Sequence, residues 1–199
     1  MNAKPRVVYS PSRVASRVTA IGRAIQKDYA GRPLDAVILV ESGFIFAADL
    51  VRSITNPVSC HFVRTELRDV ELSGFSRREV FFSHPPSLKG RDVIVMAAIL
   101  DTGVTMDFLC KRLLESHPRS LRIAVMVDRP AGRRVDLRAD YFGFVDASNI
   151  LVGYGLAGGH DRYRNLPYIG ALGHRASARG GRGALRSKTG AVSRRRGKS

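Results

Sequence analysis

Asp101, Thr102, Gly103, Val104 and Thr105 follow directly on an apolar run, Val93 to Leu100, and precede a segment of helical periodicity. Strand, short polar loop and helix start in that order make a cradle for phosphate. The amides of a first helical turn have no partner within the helix, and the helix dipole favours an anion there. The hydroxyls of Thr102 and Thr105 add donors, and Gly103 lets the backbone approach an anion closely. Asp101 sets a carboxylate inside the cradle, and two readings of it stay open: a group that works on a ligand, or a helix N-cap with no ligand at all. Asp-Thr-Gly also occurs in aspartic proteases, but those need two copies in a mostly β chain, and here one copy opens a helix.

The elements that must position this loop are written in the hydrophobic pattern. Ser10 and Pro11 read as an N-cap and first helical residue, and Val14, Val18, Ile21 and Ile25 recur at helical spacing until Gly31. Leu34 to Val40 reads as a buried strand broken by Glu41-Ser42-Gly43, and Phe44 to Ile54 as a packed helix. Val58 to Thr65 is a further strand. Residues 66–90 are polar and turn-rich with a β-prone piece at Glu79 to Phe82, either a lid or a surface hairpin. Asp92 to Leu100 reads as the central strand, Met106 to Leu114 as a helix ending near His117-Pro118, and Leu121 to Val127 as another strand. Tyr141 to Val145 and Ile150 to Gly153 are shorter β-prone pieces, and Tyr168 to Leu172 is expected to close the sheet. The alternation predicts an α/β fold, a parallel sheet with helices on both faces and its ligand beyond the carboxyl ends of the strands. Glu41-Ser42-Gly43 and Asp101 to Thr105 both fall there.

The 199 residues allow one core, and no apolar run approaches a membrane span or the core of a signal peptide. Cys60 and Cys110 sit in apolar runs and read as reduced, buried thiols of a soluble cytoplasmic protein. No CxxC or HExxH pattern suggests a protein-held metal, and the five scattered histidines read as surface or structural groups. Of the formal charge of +16, +9 lies after Gly173, where nine Lys or Arg stand without one Asp or Glu. Residues 174–199 are therefore expected to be a disordered basic tail able to meet RNA or another polyanion, with residues 1–173 as the folded domain. The charged run Arg129 to Arg138 reads first as a solvated face.

Four segments, ILDTGVT (Ile99 to Thr105), DRPAGRRVDLRADYFGF (Asp128 to Phe144), LVGYGL (Leu151 to Leu156) and YRNLPYIG (Tyr163 to Gly170), in this order, resemble the purine phosphoribosyltransferases of the hypoxanthine(-guanine) type. The similarity runs from about Val7 to Gly173. It implies a type I phosphoribosyltransferase fold with a small hood, dimers or higher homo-oligomers, and a magnesium-dependent reaction of a purine base with phosphoribosyl pyrophosphate. The products would be a nucleoside 5′-monophosphate and pyrophosphate. By the same resemblance Asp101 is the acid/base at the purine N7, and Asp101, Thr102, Gly103, Val104 and Thr105 hold the 5′-phosphate. Arg129, Ile150 and Leu151 meet the base, and Ser42, Gly43 and Arg164 meet pyrophosphate.

Several positions depart from the family pattern. An acidic pair expected before the loop is Ala97-Ala98, a metal-associated Asp after the GYGL-like motif is Ala157, and a Lys of the pyrophosphate loop is Glu41. Arg129 stands for a Lys and Ile150 for an aromatic residue, while the lid's Ser-Tyr pair is missing near Glu66, Leu67 and Arg68. A methyl group cannot ligate magnesium, which wants oxygen. Losing one preorganised contact to a leaving group typically costs about 2.7 to 4 kcal/mol. These changes predict a binder of purine nucleotide or phosphoribosyl pyrophosphate with weak or absent transfer and no protein-held metal. The alternatives are an active salvage transferase using magnesium through other carboxylates, such as Asp107 or Glu41, and an RNA-associated protein acting through its tail.

Overall fold

The computed structural model describes residues 4–68, 77–82, 86–146, 150–157 and 162–172. The tail and its expected polyanion contacts lie outside them. The first helix, α1 (Pro11–Tyr29), starts where predicted: the Ser10 hydroxyl accepts from the Arg13 amide at 3.4 Å, and Pro11 occupies the first turn. Val14, Val18, Ile21, Ile25 and Tyr29 form its buried stripe, and the left-handed Ala30 ends it.

Six strands form the main sheet: β2 (Leu34–Leu39), β3 (Val58–Arg68), β4 (Arg77–Phe82), β5 (Asp92–Leu100), β6 (Ser120–Asp128) and β7 (Tyr141–Val145). Their order is β4-β3-β2-β5-β6-β7, with β3, β2, β5, β6 and β7 parallel and β4 antiparallel at one edge. The parallel core follows from composition, since β5 and β2 are apolar almost throughout and are buried on both faces. One face packs against α1 and α2 (Val40–Arg52), the other against α3 (Val104–Leu114). This is the expected type I phosphoribosyltransferase architecture.

Four expectations need correction. Glu41-Ser42-Gly43 is no loop, because β2 passes straight into α2 and these residues form the helix's first turn, where a carboxylate suits the dipole. The segment Tyr168 to Leu172 does not extend the main sheet. As β9 (Ile169–Leu172) it pairs antiparallel with β1 (Arg6–Tyr9) and β8 (Ile150–Val152) in a separate three-stranded sheet. β1 was not expected, being four residues long with a charged first residue. Cys60 is exposed, on a strand near the sheet edge, and only Cys110 is buried. The excursion after Thr65 continues β3 into an antiparallel pairing with β4, the hairpin alternative.

At the amino ends of the strands, opposite the expected ligand side, Asp35 and Asp92 are buried, 3% and 1% exposed. Asp35 accepts from Arg91 Nε at 2.6 Å and bonds His61 Nε2 at 2.8 Å. Asp92 accepts from Arg32 Nε at 3.0 Å, Arg119 Nε at 3.1 Å and Ser120 Oγ at 2.8 Å. Burial alone would raise the Asp92 pKa, but the bonds from Ser120 and Arg119 and the charges of Arg119 and Arg32 outweigh it and hold it below the ordinary 3.8. Its stabilisation is therefore fully present above the unfolded value and is lost as pH falls through the depressed folded value. Asp92→Asn is expected to lower the unfolding free energy by about 1–3 kcal/mol at pH 7. In urea titrations the gap to the unsubstituted protein should stay constant down to about pH 5 and close below the ordinary 3.8.

Candidate active site

The carboxyl ends of β2, β5 and β6 and the small sheet together enclose a cleft of about 310 Å³. Glu41 and Ser42 reach it from the first turn of α2, Ile99 from β5, Arg129 from just past β6, and Ile150 and Leu151 from β8. Leu156, Ala157 and Arg164 complete the wall. Residues far apart in sequence, expected at base and pyrophosphate, thus share one cavity: Arg129, Ile150 and Leu151 with Ser42 and Arg164. Gly43 lies behind the lining, where an added Cβ would be 3.3 Å from the Ala97 Cα and 3.4 Å from the Ala98 nitrogen. The first turn of α2 therefore rests directly on β5.

Asp101 stands at the edge of this cleft. Its Oδ2 is 3.5 Å from Arg129 Nη1, and about half of its side chain, 47%, remains exposed. It is not the helix cap: that position belongs to Gly103, whose φ of 80° is the left-handed conformation glycine adopts without strain. The carboxylate faces Arg129 instead of capping α3, and the Asp101 to Thr105 stretch runs from strand through loop to helix start. Asp107, considered for a metal, accepts from Lys111 Nζ at 2.8 Å along α3.

The pyrophosphate side differs from what its residue types suggest. Arg164 Nη1 donates to the carbonyl oxygens of Glu41 at 2.5 Å and of Gly155 at 2.7 Å. Gly155 is needed at that close approach, because a Cβ there would fall 2.3 Å from the Ser42 oxygen. The Glu41 carboxylate is 56% exposed and faces Arg64 Nε at 3.8 Å, a loose pair of small energetic weight. Ala97 and Ala98 are 3% and 1% exposed, one packed in the α3 core and the other in the α1–α2 core. With methyl groups there and at Ala157, these positions do not fit a protein-held magnesium ion. Among the described residues no group of three His, Cys, Asp or Glu could hold a metal. Glu66, Leu67 and Arg68 fall in the β3 extension.

The run Arg129 to Arg138, read as a solvated face, is only partly so. Arg133 is 12% exposed, bonds Asp128 through Nη2, and donates from Nη1 to the Asp101 carbonyl at 2.9 Å. Sequence reasoning passed over it because its charge was one among many. Gly132 beside it was a usable signal, since a Cβ there would fall 2.3 Å from Asp101 Oδ1.

A family model for the phosphoribosyl transferase domain matches residues 15–157, more than half of the chain. The chain belongs to the phosphoribosyltransferase family. Within it, the similarity is to the hypoxanthine-guanine phosphoribosyltransferases. That of Dictyostelium discoideum is 32% identical over 170 residues, covering 83% of this chain and 94% of its own length. The bifunctional protein TilS/HprT of Listeria monocytogenes is 30% identical over 167 residues, but this chain spans only 26% of that protein's length. Among solved structures, a hypoxanthine-guanine phosphoribosyltransferase from Bacillus anthracis superposes with a TM-score of 0.76 at 29% identity, covering 86% of this chain and 99% of that one. A hypoxanthine phosphoribosyltransferase from Staphylococcus aureus gives 0.76 at 30% identity, covering 84% and 91%. No helix among the described residues is long and apolar enough to cross a membrane.

In this chain the Arg164 bridge ties α2 to the segment after β8. Arg164→Met removes both bonds and should lower the unfolding free energy by about 1–3 kcal/mol. Urea denaturation measures it, and a change within error of zero would mean that the bridge does not fasten the cleft.

Proposed function

We propose that this chain takes a purine base with phosphoribosyl pyrophosphate, or the product nucleoside 5′-monophosphate, in the cleft beside Asp101, and that its reaction is purine phosphoribosyl transfer. The observation that carries the reading is the convergence of Arg129, Ile150, Leu151, Ser42 and Arg164 on one cavity at whose edge Asp101 stands. The purine ring lies against Ile150 and Leu151, and Arg129 donates to its exocyclic oxygen. The ribose 5′-phosphate sits on the Asp101 to Thr105 loop, held by backbone amides and threonine hydroxyls. As the bond from C1′ to pyrophosphate breaks and the bond to the base nitrogen forms, the Asp101 carboxylate takes the proton released at N7. No step is assigned to magnesium, which the enzyme class uses, because Ala97, Ala98 and Ala157 offer it no oxygen.

Those same residues favour a second reading, a nucleotide-binding protein in which transfer is slow. Glu41 adds a negative charge where pyrophosphate would depart. The two readings separate in one experiment on the purified chain, comparing binding of GMP and IMP by calorimetry with formation of either from phosphoribosyl pyrophosphate and guanine or hypoxanthine. Both readings expect saturable binding that Gly103→Val, which places a side chain against Val135 and Arg133, weakens at least tenfold. Turnover of roughly 1 to 10³ per second, abolished by Asp101→Asn, establishes the transferase. Binding without such turnover establishes the second reading, and absence of saturable heat at millimolar nucleotide rejects both.

A further inference from the structure

Three successive carbonyl groups at the end of β5 are held by the segment that follows β6. Leu100 O accepts from the Arg129 amide at 2.9 Å, Asp101 O from Arg133 Nη1 at 2.9 Å, and Thr102 O from the Arg134 amide at 2.9 Å. Only the middle one depends on a side chain. In a trans peptide the carbonyl and the following N–H point in opposite directions. Fixing these carbonyls against residues 129–134 therefore turns the amides of Asp101, Thr102 and Gly103 away from that segment, where an anion can meet them.

Arg133 is built for this task. Its charge is matched by Asp128, which is 13% exposed, so the guanidinium does not act as an anion ligand. Its stem lies against Gly103, where an added Cβ would be 3.0 Å from Arg133 Cδ and 2.8 Å from Val135 Cγ2. A short 3₁₀ turn, Pro130–Gly132, brings the backbone under the Asp101 carboxylate and sets the reach of Arg133. The two glycines mark where the segments touch, Gly132 beneath the carboxylate and Gly103 beneath the arginine stem.

We infer that Arg133 is a positioning residue for the phosphate loop: paired with Asp128, it fixes the Asp101 peptide so that the loop amides face the 5′-phosphate. The inference rests on the nucleotide reading above and adds to it a residue outside the cleft lining. An arginine that only stabilises the fold would affect a nucleoside and its monophosphate equally. One that aims the cradle affects the phosphorylated ligand alone.

The test uses the full chain with Arg133→Met, Arg133→Lys, and Arg133→Met combined with Asp128→Asn, which leaves no unpaired carboxylate. Calorimetric titration with GMP and with guanosine should show GMP affinity falling about tenfold in both methionine variants, guanosine changing less than about twofold, and lysine restoring part of the loss. Parallel loss for both ligands, or no loss for either, overturns the inference. Amide hydrogen exchange at Arg134 gives a reading that needs no ligand. It should accelerate at least tenfold in Arg133→Met, and unchanged exchange overturns the inference as well. If the unsubstituted chain binds neither GMP nor guanosine, the nucleotide reading fails, and exchange at Arg134 alone decides whether the clamp exists.

Discussion

A strand that leaves a sheet takes with it backbone groups that must find new partners, and in this protein that constraint is met at the end of β5. The carbonyls of Leu100, Asp101 and Thr102 accept bonds from the segment after β6, while the helix that follows opens on a left-handed Gly103. Unsatisfied buried carbonyls cost on the order of 1–3 kcal/mol each, so the loop is shaped first by its own satisfaction. In the proposed function the anion then meets the amides turned away from the satisfied side. The position of Asp101, the need for Gly132 and the burial of Arg133 all follow from that arrangement.

The rest of the cleft obeys the same logic with different partners. α2 begins without a connecting loop and has no side-chain cap, so the amides of its first turn have no partner within the helix. Arg164 donates to the Glu41 and Gly155 carbonyls, and that one guanidinium joins the main sheet's helix to the segment leading from the small sheet. The cavity thus lies between the main sheet and the small one and is lined by Ile99, Ile150, Leu151 and Leu156 among others.

Much of the frame was legible in the sequence, for identifiable reasons. α1 carries a cap, a proline and an uninterrupted apolar stripe, and β2, β5 and β6 are apolar runs that only a doubly covered sheet can bury. The DTGVT loop could be placed because strand, loop and helix follow one another without a gap. What stayed hidden depends on partners distant in the chain. β1 pairs with β9 across most of the sequence, four residues against four, and nothing local in Arg6 to Tyr9 announces it. Glu41-Ser42-Gly43 looked like a break because serine and glycine are common in loops, whereas the buried Gly43 lets α2 lie on Ala97 and Ala98. Arg133 was concealed among the four arginines of residues 129–138; only its carbonyl and carboxylate partners set it apart.

The two ends of the site differ in how they tolerate change. The end proposed for phosphate is made by backbone amides and the hydroxyls of Thr102 and Thr105, so substitutions reach it through those two side chains and through residues that set peptide orientation. The leaving-group end is made by side chains, and there fold and chemistry pull in different directions. A carboxylate at Glu41 lies in the first turn of α2, where the dipole favours negative charge by about 0.3–1 kcal/mol and disfavours the lysine that the family resemblance expects. Small residues at Ala97 and Ala98 fill the core on both faces of β5, where a carboxylate would have to be satisfied or excluded from the packing. At Glu41, Ala97 and Ala98 the residues present therefore suit the helix dipole and the core packing better than the lysine and carboxylates the family resemblance expects. Local stability and the proposed handling of pyrophosphate make opposite demands at these positions, and for that reason binding and turnover in this protein have to be judged separately.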